Sequence, residues 1–322
     1  MKTEWLRAEQ PGDLRRAGEL LLAGELVAVP TETVYGLAAD ASNPEAVAGI
    51  FVAKQRPRSH PLITHLASAE QLPRWAATVP DWVAAVVERF WPGPLTLLLD
   101  RHPGVSDVIT GGLPTIGLRV PDQPVLLELL RRFDLAVAAP SANLYRKLSP
   151  TTAEQVMSGL EGKIAAVLDA GPCAIGTEST ILRVHQQQAE ILRSGPITAA
   201  DLEPFLPFPV GAPTSHDQAV PGNQRVHYRP DAVLRIRSTV ELAEMLEDPP
   251  DDAGFVLYSS RFHELQLDNV RVMPAQHQGY RKALYATLHE LDGRVATIWV
   301  ENPPCGAEWQ DIQDRLSRAA SA

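Results

Sequence analysis

Two cations stand two residues apart at Lys54-Gln55-Arg56, and His60 and His65 follow them. Upstream lies the turn Pro30-Thr31-Glu32-Thr33, which leads into Tyr35-Gly36. Downstream come Thr115 and Arg119, then Ser141-Ala142-Asn143, Ser149, Ser179-Thr180 and Arg193. Guanidinium and ammonium groups beside hydroxyls, amides and histidines suit an anionic small molecule: Arg grips a phosphate or carboxylate through two N–H bonds, and Lys acts as a compact charge. Other common chemistries lack their signatures. The chain has no GxxxxGK(S/T) loop, no GxGxxG after a strand, no HExxH and no GxSxG, and His263-Glu264 lacks a second histidine.

The elements that must hold these residues alternate between strand and helix. A helix is expected over 13–24, with Leu14, Ala17, Leu21 and Leu22 on one face, and a strand over 25–30. Asn43-Pro44-Glu45 signals a helix start, with Asn at the cap, Pro in the first turn and an acid at the positive end of the dipole; this helix should finish near Lys54. A strand over 62–66 then delivers His65. Ser68-Ala69-Glu70-Gln71 reads as a capping box for a further helix. Helices over 81–90 and 123–132, strands over 95–99, 116–120 and 135–139, and a helix capped by Thr152 follow. Strands over 164–169, 179–184 and 189–193 and a short helix near 199–205 complete the first domain. Site residues therefore cluster at strand ends, where α/β proteins bind small molecules.

From 204 to 231 six prolines sit among Gly, Ser and Thr, which marks a stiff linker. Beyond it strands near 233–237, 254–258, 269–273 and 295–300 alternate with helices near 239–247, 277–291 and 307–318, the pattern of a small parallel α/β domain. The expected division is 10–203, 204–231 and 232–322.

With 322 residues, two domains are the prior, and 45% hydrophobic residues suffice for real cores. A formal net charge of −10 argues against coating nucleic acid by bulk charge. The two cysteines, Cys173 and Cys305, form no CxxC and are read as inert. The N-terminus lacks the apolar core of a signal peptide, and no run is long enough to span a bilayer, so a soluble, cytoplasmic protein is expected.

PTETVYGL, KxR, FWPGPLT, GLRVP, APSAN and ESTI occur in this order, and together they resemble the YrdC family, the threonylcarbamoyl-AMP synthases. The resemblance runs from about residue 10 to about 200. The stretch 221–230, PGNQRVHYRP, resembles the segment that joins the two domains in the family's long form. It implies an α/β fold: a YrdC-like twisted, mixed sheet around a concave pocket, plus a smaller Rossmann-like parallel domain. It also implies synthesis of threonylcarbamoyl-AMP and pyrophosphate from L-threonine, bicarbonate and ATP with Mg2+. The product would go to the tRNA threonylcarbamoyl-transferase machinery, for modification next to the anticodon.

Lys54, Arg56, Ser141 and Asn143 match the family's catalytic KxR and SxN set, on the ATP phosphates and the carbamate. Thr33, His65, Arg119, Ala139 and Ser179 match threonine contacts, with Arg119 on the carboxylate. Arg56, His60, Thr115, Ser141, Ser149, Arg193, His227 and Tyr228 match nucleotide contacts. Arg225, His227 and Tyr228 are expected to fold back as a lid that excludes water. No resident metal site is expected. Asp40 and Glu32 could touch a metal or water, and neither is taken as a site residue.

Two places depart from the family pattern. His60 stands where Asn is usual before Pro-Leu, and Leu144-Tyr145-Arg146-Lys147-Leu148 replaces a small Ser-Gly turn. Blander readings exist for each residue alone: Lys54–Arg58 as a solvated helix end, His65 as a core histidine, Thr31, Thr33, Ser141 and Asn143 as turn or cap formers, and Arg119 as the partner of a surface acid. The Trp91-Pro92-Gly93-Pro94 segment reads as a structural corner. Two other functions compete. One is an RNA-binding module of the same fold, which the charge disfavours. The other is a carbamoyl-adenylating maturation factor, which would need zinc-finger cysteines that this chain lacks.

Overall fold

The computed structural model describes residues 2–211, 220–222, 226–265 and 267–320. The chain forms two compact units. The first runs through Tyr145 and resumes over Pro150–Ala174 and from Glu178 through Gly222; the second takes in Arg146–Ser149, Ile175–Thr177 and the described residues from Val226 on.

The first unit contains strands β1 (Glu4–Arg7), β2 (Val27–Val29), β3 (Gly36–Asp40), β4 (Ile63–His65), β5 (Leu95–Asp100), β6 (Thr115–Arg119), β7 (Val137–Ala138), β8 (Ala166–Asp169), β9 (Thr180–Val184), β10 (Ala189–Arg193) and β11 (Val210–Gly211). They make one mixed sheet in the order β1-β8-β2-β3-β7-β4-β6-β5-β9-β10-β11. Strand alternation sorts its side chains. Leu95, Leu97 and Leu99 of β5 and Ile116 and Leu118 of β6 join the largest core, beneath the helices Pro44–Lys54 and Val83–Phe90. On the opposite face, helices Pro11–Leu22 and Pro124–Arg132 bury Val27, Val29, Ala38, Val137 and Leu168 at the β1–β7 end. Further along the sheet that face carries a small apolar floor of Ile63, Leu98, Ile181, Leu192 and Val220, and the polar residues of interest stand beside it.

Asn43 caps its helix as expected: Oδ1 accepts from the N–H groups of Glu45 and Ala46, and the helix ends at Lys54 with Gln55 in a left-handed conformation. The capping box at Ser68 does not form. A 3-10 turn (Ala69–Gln71) precedes a short helix (Leu72–Trp75), Ser68 makes no cap bond, and the Gln71 side chain accepts from Ala67 N at 2.8 Å instead. β1, β3 and β11 were not expected from the sequence. β3 is buried on both faces, between β2 and β7, so its small residues show no alternation.

The second unit contains β12 (Val233–Arg237), β13 (Ala253–Leu257), β14 (Val270–Val272) and β15 (Thr297–Glu301), all parallel, in the order β12-β15-β13-β14. Helices Thr239–Met245, His277–Leu291 and Gln310–Ala320 alternate with them. The α/β class, the mixed first sheet and the parallel second sheet agree with expectation. At the carboxyl ends of the second sheet, the fully buried Glu301 accepts from the Tyr258 and Ser259 N–H groups and from the Thr239 and Ser259 hydroxyls. In the expected linker, residues 212–219 and 223–225, Arg225 among them, lie outside the described residues. No helix among the described residues is long and apolar enough to cross a membrane.

Candidate active site

The parallel register of β4 and β6 sets His65 beside Arg119 and Ile63 beside Gly117. Arg119 is 3% exposed, and its guanidinium is fixed at three points. Nε donates to the Gly93 carbonyl at 3.0 Å, one N–H group donates to Thr33 Oγ1 at 3.0 Å, and the other lies 2.6 Å from Glu32 Oε1. Gly93 belongs to the Trp91–Pro94 corner, where the Trp91–Pro92 peptide is cis. A Cβ at Gly93 would come within 2.4 Å of the Phe90 carbonyl oxygen, so the corner admits only glycine. The turn that carries Thr33 is knotted by Thr31, whose Oγ1 donates to Val34 O at 2.6 Å and accepts from the N–H groups of Thr33 and Val34.

Glu32 is buried, and neither of its carboxylate oxygens has a hydrogen-bond partner among the described residues; the contact with Arg119 is an ion pair without hydrogen-bond geometry. The acid that meets Arg119 is thus internal. Burial, then the nearby charge of Glu32, pushes the Cys173 thiol up to about 12, so Cys173 is an inert thiol, as expected. His65 is also buried, and its Nδ1 lacks a partner among the described residues. Burial, reinforced by Arg119, lowers the imidazole to about 3, so His65 is neutral at physiological pH.

A second cluster forms around Lys54. Its ammonium, 2% exposed, donates to the carbonyl oxygens of Ser141 and Asn143, both at 2.5 Å. Burial first, and the charge of Arg56 second, hold it well below the usual lysine value. The Ser141–Asn143 loop is also tied to Tyr35: Ala142 N donates to Tyr35 O, and Ser141 bridges Gly36. Arg56, half-buried, donates to Pro61 O at 2.8 Å. His60 stands edge-on to Tyr145 with ring centroids 5.5 Å apart, and Tyr145 N donates to Lys54 O. The two departures from the family pattern therefore touch each other, next to the lysine.

Ser179 anchors a third cluster. Its Oγ shares a 2.8 Å bond with Thr96 Oγ1 and accepts from Arg193 at 3.0 Å, and its carbonyl accepts two more Arg193 bonds. Arg193 also donates to Pro221 O. Thr115 begins β6 on the face of Arg119, roughly 13 Å away along the strand. Ala139 follows β7 and donates its N–H to Ile63 O. The structure thus joins Thr33, His65 and Arg119; Lys54, Ser141 and Asn143; and Ser179 and Arg193.

Ser149, His227 and Tyr228 belong to the second unit. The Ser149 carbonyl faces His289 Nε2 at 3.1 Å. Tyr228, buried with φ at +59°, packs on His227 and Tyr285, with the Arg315 guanidinium 5.2 Å over its ring. Sequence reasoning weighed Glu32 only as a metal or water contact and did not take it as a site residue, and it passed over Thr96, one hydroxyl in an apolar strand. Their signal was position, beside Thr33 and opposite Ser179, and only register reveals it.

The family model described as "Telomere recombination", that of Sua5, YciO and YrdC, matches residues 19–195, and the model "Threonylcarbamoyl-AMP synthase, C-terminal domain" matches 197–321. The chain belongs to the Sua5/YrdC family, in its long form. Within the family it is similar to the threonylcarbamoyl-AMP synthase of Bacillus subtilis, 43% identical over 99% of this chain and 95% of that one. It is also similar to the Schizosaccharomyces pombe synthase, 34% identical over 92% and 85%. The crystal structure of P. abyssi Sua5 complexed with L-threonine superposes with a TM-score of 0.88 at 32% identity, covering 99% of this chain and 98% of that one.

Proposed function

We infer that this chain is an L-threonylcarbamoyl-AMP synthase that serves threonylcarbamoyladenosine formation in tRNA. The similarity to the Bacillus subtilis synthase, which extends through both units, carries the inference. The threonine amine, as the free base, bonds through nitrogen to the carbon of bicarbonate; a C–O bond of bicarbonate breaks and that oxygen leaves as water with the amine proton, which gives the carbamate. An oxygen of the resulting carbamate then bonds the α-phosphorus of ATP, and pyrophosphate leaves. Negative charge concentrates on phosphoryl oxygens, so positioning and fixed cations carry such a step, and no protein nucleophile is required.

In this reading Arg119 takes the threonine carboxylate, and Thr33, Ala139 and Ser179 line the amino acid. Glu32 balances Arg119 and offers acceptors to the amine. His65, neutral, leaves Nδ1 for a hydrogen bond and adds no positive charge that would hold the amine protonated. Lys54 orders the loop that presents Ser141 and Asn143, and with Arg56 supplies charge toward the phosphates and carbamate. Thr115, His60, Ser149, Arg193, His227 and Tyr228 are assigned to the nucleotide, and residues 204–231 to a linker between domains at 10–203 and 232–322. Among the described residues no group of three or more His, Cys, Asp or Glu could hold a metal. Mg2+ would enter with the phosphates of ATP, since that ion keeps its waters and takes few protein ligands.

Purified protein with ATP, Mg2+, bicarbonate and L-threonine should release pyrophosphate and form threonylcarbamoyl-AMP, detectable by mass. The Lys54→Ala/Arg56→Ala double variant should form none. Folded wild-type protein that forms no product would reject the reading.

A further inference from the structure

The helix His277–Leu291 of the second unit meets two loops that are remote from it in sequence. His289 Nε2 lies 3.1 Å from the Ser149 carbonyl oxygen. About two turns earlier, some 12 Å along the axis, Arg281 donates to Asp311 through Nε at 2.7 Å and Nη2 at 3.2 Å, and the same carboxylate accepts from Thr177 Oγ1 at 3.1 Å. Asp311 and Thr177 are fully buried. Gly176, at φ +92°, lies flat on this helix: a Cβ there would come within 2.7 Å of the Arg281 and Lys282 carbonyl oxygens. The first loop is further fixed by the Arg229 N–H bond to Arg146 O and by the ion pair of Lys147 with Asp231.

These are the loops that continue into the site residues. The first follows Asn143 and ends at Ser149; the second runs through Thr177 into Ser179. We propose that the helix His277–Leu291, with Asp311, is a positioning bracket that sets the conformation of both loops for substrate binding. His289 and Asp311 are positioning residues: neither is assigned to ATP or threonine, and each acts through the loop it holds. The fixed contacts remove conformational freedom that binding would otherwise have to remove. The proposal rests on the synthase reading of Ser149 and Ser179.

The test uses full-length protein with His289→Ala, His289→Gln and Thr177→Val. The last is nearly isosteric and leaves the Arg281–Asp311 pair intact. Calorimetry gives the Kd of a non-hydrolysable ATP analogue, pyrophosphate release gives KM and kcat, and thermal melting reports folding. His289→Ala should weaken analogue binding about tenfold with a smaller change in kcat, and His289→Gln, whose amide can still donate to the Ser149 carbonyl, should restore most of it. Thr177→Val should raise the KM for threonine about fivefold. Folded His289→Ala and Thr177→Val that keep wild-type Kd and KM would overturn the bracket. Wild-type protein that binds the analogue but makes no product would reject the synthase reading, while the calorimetric comparison would still judge the bracket.

Discussion

Two buried arginine–carboxylate pairs in this chain are built in opposite ways. In the second unit Asp311 meets Arg281 through two hydrogen bonds, and the Thr177 hydroxyl adds a third. In the first unit Glu32 lies 2.6 Å from Arg119, yet neither of its oxygens has a hydrogen bond among the described residues. Burial makes each missing bond costly, because water cannot supply it. A saturated pair of this kind fastens elements together. An unsaturated one, beside a neutral histidine with a bare Nδ1, carries the mark of a site completed by its ligand. The same contrast separates Glu301, whose carboxylate has donors from two backbone N–H groups and two hydroxyls, from His65.

The largest expected effect breaks the saturated pair. Asp311→Ala leaves the Arg281 charge buried without its partner and should cost about 3–5 kcal/mol of stability in urea unfolding. Glu32→Gln removes the counter-charge of Arg119 but breaks no hydrogen bond and keeps the side-chain volume, so it should cost less than Asp311→Ala, about 1–3 kcal/mol, yet raise the KM for threonine about tenfold. Equal stability losses in the two variants would erase the distinction.

Acid sensitivity sharpens it. The folded-state value of His65 is depressed to about 3 from 6.5, so the unfolded chain takes up a proton first as pH falls. The stability linked to neutral His65 is complete above 6.5 and declines from there toward pH 3. His289 is lowered by burial too and contributes in the same direction. Chemical denaturation at pH 7.5 and pH 5 should therefore show a smaller drop for His65→Gln than for wild type.

Smaller effects follow from single hydrogen bonds. Thr96→Val removes the hydroxyl that meets Ser179 and should cost about 1 kcal/mol. Asn43→Ala removes a working cap and should cost about 1 kcal/mol, whereas Ser68→Ala should be nearly silent, since Ser68 caps nothing. Melting temperatures of the two alanine variants check this difference.

The fold was legible wherever periodicity and punctuation agreed. Every strand and helix expected beyond residue 232 is present, because apolar strand runs and helical patterns follow one another there at regular intervals. β3 was missed for the opposite reason: Gly36–Asp40 is small and buried on both faces, and a Cβ at Gly36 would already lie 3.1 Å from Ala139 Cβ. Ser68 misled because a second local acceptor, Gln71, bonded the backbone in a different way. In the site, hydroxyls and cations announced themselves by type. Glu32 did not, because its partner Arg119 is distant in sequence and the two meet only once the Thr31–Val34 turn has folded against β6. The roles of His289 and Asp311 were equally invisible, since they act through the loops they hold.

The most direct test of the account is calorimetric titration of L-threonine into wild-type protein and Arg119→Lys, with folding of both checked by melting. Lysine keeps the charge but loses the planar fork that meets Gly93, Thr33 and Glu32. The account predicts saturable threonine binding in the wild type and a loss of about tenfold or more in the variant. Undiminished binding in folded Arg119→Lys, or none in the wild type, would contradict it.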